Sequence, residues 1–199
     1  MWQYLDKLDK QIFLFLNGIH NNFFDGFFDI ITTTVTWIPL FILLVYFIIK
    51  KYKKKSVIIL LGVVVLIACT DMISAHIIKP LVGRLRPCHD ESLAGLVHIV
   101  KDKCGGRYGF VSSHATNLFG IATYAFFVLR KYYKYIWLLF IWGAVIGYSR
   151  IYLGVHYPGD VLCGTILGIL IATAIWLGVK AILIKRESLK TKNANQSTE

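Results

Sequence analysis

The sequence predicts an all-α integral membrane protein, a helical bundle of five transmembrane helices plus an N-terminal amphipathic interfacial helix, and three observations carry that expectation. The hydrophobic share is 56%, above the roughly 45–50% of soluble domains. The excess falls into runs long enough to cross a bilayer at about 20 residues each. The net charge of +11 is gathered in three clusters, Lys50, Lys51, Lys53, Lys54 and Lys55, then Arg130, Lys131 and Lys134, then Lys180, Lys185, Arg186, Lys190 and Lys192. Each cluster follows an apolar run, which is the positive-inside pattern. A nucleic-acid partner would need a basic face outside the membrane and is not expected.

Taken in chain order, residues 5–19 place Leu5, Leu8, Ile12, Phe15, Leu16 and Ile19 at helical spacing with charges opposite, the signature of a helix lying on the membrane surface. The stretch is too short and too charged to span, and it lacks the basic start and small-residue cleavage site of a signal peptide. Residues 1–25 are therefore read as an interfacial segment, 26–185 as the membrane domain and 186–199 as a polar cytoplasmic tail. Spans are expected at 26–49, 57–79, 114–130, 135–152 and 159–183, with a kink at Pro39 inside the first. Assigning the basic clusters to the cytoplasm puts the 80–113 loop outside, and a connection of that length is expected to be functional.

Cys69 and Cys163 fall in apolar runs and read as small core residues. Cys88 and Cys104 flank the polar outward loop, where disulfides persist, so a bridge and two free thiols both stay open. The spacing of the four offers no zinc pattern.

Ionisable residues collect at the outward ends of the spans: Lys79 and Arg86, His114, Arg150, and His156 with Asp160. Such groups are costly in a membrane and mark functional sites. Three cations with backbone donors form a receptor for a phosphoryl group, Arg by bidentate contact and Lys as a point charge. Of two histidines, one can attack phosphorus while the other protonates the departing oxygen, and a carboxylate beside the first fixes its tautomer. Pro158 suits the first position of a helix, so that His156 precedes the helix and Asp160 turns back towards it. Ser112 and Ser113 open another helix, where free amides bind anions. Arg84 could add a phosphate contact, Asp71 and His76 lie deeper in the second span, and His89 and His98 read as solvated loop residues.

Three segments then acquire a family resemblance. Lys79-Pro-Leu-Val-Gly-Arg-Leu-Arg86-Pro87, Val111-Ser112-Ser113-His114 and Ser149-Arg150-Ile-Tyr-Leu-Gly-Val-His156-Tyr-Pro-Gly-Asp160 resemble, in order, the three signatures of the type 2 phosphatidic acid phosphatase family. The resemblance implies Lys79, Arg86 and Arg150 as phosphate ligands, beside the donors that the helix start at Ser112 and Ser113 offers. It implies His156 as the nucleophile that forms a phosphohistidine, Asp160 as its partner, His114 as general acid then base, and no metal or other cofactor. The second signature departs from the family's Pro-Ser-Gly-His at Val111 and Ser113, which puts the Ser113 amide contact in question.

The implied reaction is hydrolysis of a lipid phosphate at the outer face of a bacterial inner membrane. Polyprenyl diphosphate is the leading expected substrate, with lipid A phosphate and phosphatidylglycerol phosphate as rivals. A transporter with a phosphate-binding vestibule is the alternative of a different class; it requires polar residues through to the cytoplasmic side, whereas here they gather near one face.

Overall fold

The computed structural model describes residues 2–196; Met1, 197–199 and the side chains of Lys190 and Lys192 from the third basic cluster lie outside the described residues. Among those described there are no strands. The helices are α1 (Trp2–Asn17), α2 (Asn22–Ile31), α3 (Ile38–Tyr52), α4 (Ser56–Asp71), α5 (Lys79–Val82), α6 (Ser113–Leu129), α7 (Leu138–Tyr152) and α8 (Pro158–Gln196). A π-helical stretch, Met72–Ile78, joins α4 to α5 without a break.

Among the described residues three stretches are long and apolar enough to cross a membrane: Thr34–Val82, Lys134–Tyr152 and Pro158–Leu189. The first covers 49 residues, which as one straight helix would measure about 70 Å against a hydrocarbon core of about 30 Å. It is broken at Lys53, whose φ is 48°, and Leu44 and Ile48 before the break share a buried cluster with Ile59 and Leu66 after it. Large apolar side chains face outward along the helices, Leu162, Ile166, Leu170 and Leu177 of α8 among them. A bundle that turns leucine and isoleucine outward along whole helices has lipid as its solvent.

Residues 26–49 were expected to form one span, and the chain divides them. α2 stops at Ile31 because hydroxyls and an indole take the carbonyls that would continue it: Thr33 Oγ1 donates to Asp29 O, Thr36 Oγ1 to Ile30 O, and Trp37 Nε1 to Ile31 O. Pro39 accordingly kinks nothing. It lies in the first turn of α3, where a missing N–H has no helical partner to lose. At the other end α8 runs on to Gln196, so the segment expected as a polar tail continues the last helix. Glu187 there pairs with Lys55 of the α3–α4 turn.

The tightest helix pair is α6 against α8. Gly164 and Gly168 lie one turn apart on α8 and meet Ser112 O and Thr116 O of α6; a β-carbon on Gly168 would stand 2.2 Å from Thr116 O. This is small-residue packing, in which backbones approach because no side chain separates them. α6 carries His114 near its start and α8 carries Asp160 near its start, so this contact sets the two beginnings side by side. The Ser112 amide donates to Asp160 O at 3.0 Å across the junction.

α1 docks on the same end of the bundle. Asn17, 1% exposed, donates to the carbonyls of His98, Ile151 and Tyr152 and accepts from the His98 amide. The turn after α7 is thereby tied to both the N-terminal helix and the long loop. His98 is consequently not a solvated loop residue as expected: its ring stacks on His20 at 3.7 Å and bonds Asp25 at 2.9 Å.

Candidate active site

The α7–α8 turn is built to present one imidazole. Gly154 takes φ +75°, and a β-carbon there would strike His98 O at 2.7 Å, so both conformation and space call for glycine. The amides of Val155 and His156 both donate to Arg150 O, closing the turn. α8 then starts at Pro158 as expected. Asp160, third in the helix, reaches back to accept from the Tyr157 amide at 3.0 Å, the acidic half of a capping box. The same oxygen, Oδ2, lies 3.4 Å from His156 Nδ1. Helix capping, therefore, puts the carboxylate beside the ring.

His156 is 1% exposed and Asp160 fully buried. Burial, and then the positive charges of Arg86, Arg150 and Lys79, push the His156 pKa well below its ordinary value. An imidazole held neutral keeps a lone pair, which is the requirement for a nucleophile. His114, on the first turn of α6, feels the charges of Arg150, His156, Lys79 and Arg86. The sequence-picked residues are thus brought within electrostatic range of one another from α5, α6, α7, the α7–α8 turn and the long loop.

Each guanidinium is anchored on one side. Arg150 Nη1 donates to Thr32 Oγ1 at 2.7 Å, while its Nε is buried with no partner among the described residues. A buried donor in that condition is costly unless an acceptor arrives, and a phosphate oxygen is such an acceptor. Arg86 donates from Nε to Tyr108 O and from Nη1 to Cys104 O. Cys88 and Cys104 form a disulfide, resolving the alternative left open, and the bridge steadies the carbonyl that holds Arg86. A cavity of about 180 Å³ is lined by Arg86, Arg150, Thr32, Asp29 and Lys103.

One expected phosphate contact is altered, and a second lies beside an added side chain. The Ser112 amide already serves Asp160 O, and its Oγ accepts from the Ala115 amide as the cap of α6, which leaves Ser112 its hydroxyl proton as donor. Ser113, where the family pattern has glycine, accepts from Ser74 Oγ at 2.9 Å, so its added side chain is taken up against the π-helical stretch. Arg84 is not directed at phosphate; it bonds Asp160, Asp9 and Asp6. Gly109 was missed in the sequence. A β-carbon there would come within 2.9 Å of Asp160 Oδ2 and 3.3 Å of Arg86 Cγ, so the loop threads between two site residues only as glycine. Cys88, His89 and Cys104 are the one trio of metal-type donors clustered among the described residues, and the disulfide ties up both sulfurs.

Comparison with known proteins agrees with this geometry. The profile of the PAP2 superfamily matches residues 56–183. The chain is 38% identical over 170 residues to the lipid A 4'-phosphatase of Bacteroides thetaiotaomicron, covering 84% of this chain and 75% of that protein. It is 31% identical over 175 residues to the lipid A 4'-phosphatase of Porphyromonas gingivalis, covering 87% and 74%. Its fold resembles the crystal structure of the transmembrane PAP2-type phosphatidylglycerolphosphate phosphatase from Bacillus subtilis, with a TM-score of 0.66 at 22% identity over 92% of this chain and 87% of that one. An integral membrane protein with these three signatures, this fold and these relatives belongs to the PAP2 superfamily, as a lipid phosphatase.

Proposed function

We propose that this enzyme hydrolyses a phosphate monoester on the head group of a lipid A-type glycolipid, through a phosphohistidine on His156. The observation that carries the mechanism is the buried, neutral His156 set between Asp160 on one side and the charges of Arg86, Arg150 and Lys79. The imidazole nitrogen remote from Asp160 attacks phosphorus, forming a P–N bond as the P–O bond to the lipid breaks. His114 gives its proton to the departing lipid oxygen. Water then attacks the phosphohistidine, His114 takes a proton from it, the P–N bond breaks, and inorganic phosphate leaves with His156 restored. Asp160 stabilises the ring while it carries positive charge. Lys79, Arg86 and Arg150 compensate the charge on the non-bridging oxygens throughout.

On substrate, polyprenyl diphosphate led the expectation from sequence, and the two lipid A 4'-phosphatase relatives move the weight to lipid A. For topology, the proposal is five crossings, by α3, α4 with its π-helical extension, α6, α7 and α8, with α1 and α2 at the interface. The basic clusters then face the cytoplasm and the site opens to the periplasm of a bacterial inner membrane.

The test is phosphate release from purified protein in detergent with EDTA, given bis-phosphorylated lipid A, undecaprenyl diphosphate or phosphatidylglycerol phosphate. Release fastest from lipid A, and abolished in His156→Ala, is expected. Faster turnover of either rival overturns the substrate assignment, and a fully active His156→Ala overturns the mechanism.

A further inference from the structure

Asp160 has two oxygens to secure. Oδ2 takes the Tyr157 amide and faces His156 Nδ1. Oδ1 takes Arg84 Nη1 at 2.9 Å, so the carboxylate is held at both ends and cannot turn about its own axis. Arg84 is itself over-determined. Nη1 also donates to Asp9 Oδ2 at 2.8 Å and Nη2 to Asp6 Oδ1 at 2.9 Å, while the guanidinium lies over the Tyr157 ring at 4.0 Å.

Asp9 belongs to α1, and its other oxygen accepts the Gly159 amide at 2.8 Å, an orphan donor of the first turn of α8. A β-carbon on Gly159 would stand 2.7 Å from Asp9, so glycine leaves room for this approach. The same helix supplies Lys10, which bonds Asp90 at 2.7 Å; Asp90 in turn accepts from the Tyr157 hydroxyl. Phe13 packs edge-on against Tyr157. The N-terminal helix thus grips two of the three residues between His156 and Asp160, Tyr157 through its ring and Gly159 through its amide.

We propose that Arg84 is a positioning residue for His156, acting through Asp160, and that Asp9 of α1 holds Arg84 in place. This rests on His156 being the nucleophile. Arg84 is a cation among phosphate-binding cations, yet its donors go to carboxylates, and its task is orientation. The N-terminal helix is then part of the catalytic apparatus as well as a membrane contact. Only an arginine fork can reach Asp160, Asp9 and Asp6 together while stacked on a ring.

The experiment uses the full-length protein in detergent micelles with bis-phosphorylated lipid A. Arg84→Met is expected to lower kcat about 10²-fold, the usual effect of misplacing a reacting group by about 1 Å. KM should stay within about threefold of wild type, because Lys79, Arg86 and Arg150 remain to bind phosphate. Asp9→Asn, which keeps the side-chain shape, should lower kcat about tenfold and add little in the Arg84→Met background, since coupled residues are not additive. Arg84→Lys should recover part of the loss. An independent readout is the His156 ring ¹⁵N spectrum, assigned by its absence in His156→Asn. Both variants should lower the fraction of ring protonated at Nδ1, whichever lipid is turned over.

The inference is overturned if folded Arg84→Met and Asp9→Asn keep the wild-type kcat and ring spectrum, or if KM rises while kcat holds. A wild-type protein that releases no phosphate from lipid A counts against the proposed function, and the ring spectrum still decides the role of Arg84.

Discussion

Gly168→Ala replaces one hydrogen with a methyl group, and the structure says where it goes. The new β-carbon would stand 2.2 Å from Thr116 O and 2.9 Å from the Gly120 amide nitrogen, both backbone atoms that no rotamer change can move. Ordinary contact begins near 3.4 Å; 3.4 less 2.2 leaves about 1.2 Å by which α6 and α8 must part. Over-packing of this kind costs about 1–3 kcal/mol. Because α6 carries His114 and α8 carries Asp160, the displacement reaches the site, where about 1 Å is worth about 10²-fold in rate. The assay pairs thermal unfolding in detergent with phosphate release, and Gly178→Ala serves as the control, since nothing lies within 4 Å of its β-carbon. A Gly168→Ala protein as stable and active as that control would refute the account of how the two helix starts are aligned.

Further outcomes follow from the same geometry. Asn17→Ala strands buried carbonyls and the His98 amide, at about 1–3 kcal/mol for each buried group left unpaired. It should lower the unfolding temperature and reduce kcat through the α7–α8 turn, and loss of neither would contradict the pinning described. Because the folded pKa of His156 is depressed, its neutral form is favoured by folding. Its contribution is present above the unfolded value near 6.5 and is lost as pH falls below that. The acid limb of the kcat/KM profile that reports His156 should correspondingly lie below 6.5, and an acid limb above 6.5 that vanishes with a substituted His156 would contradict its neutral burial. Reducing the Cys88–Cys104 bridge frees a loop whose closure is worth about 3 kcal/mol and loosens the carbonyl holding Arg86. A rise in KM greater than any fall in kcat is expected, measured with and without reductant.

The sequence discloses the parts of the site whose geometry is local. Pro158 as a helix start and Asp160 turning back to the residues before it are both consequences of one turn of chain, and the structure has them as expected. The grouping of Lys79, His114 and Arg150 was also legible, because all three sit at the ends of apolar runs away from the basic clusters, and the charges of Lys79 and Arg150 do reach His114. Arg84 was not legible. Its partner Asp9 is 75 residues away on a helix whose charges read simply as the wet face of an amphipathic segment. Gly109 was hidden for the same reason, since the atoms it makes room for belong to Asp160 and Arg86. The break after Ile31 was misread because the dip at 32–36 is short and averages out against the apolar runs on either side, while the hydroxyls of Thr33 and Thr36 end the helix by hydrogen bonding, which a hydropathy average does not register.

The proposed reaction turns on a covalent bond between phosphorus and His156. Rapid acid- and base-quenched reactions with ³²P-labelled lipid A test it directly. Label is expected on the peptide that contains His156, stable in base and lost in acid, and absent from His156→Ala. Label that survives acid but not base, or that lies on any other residue, would contradict it.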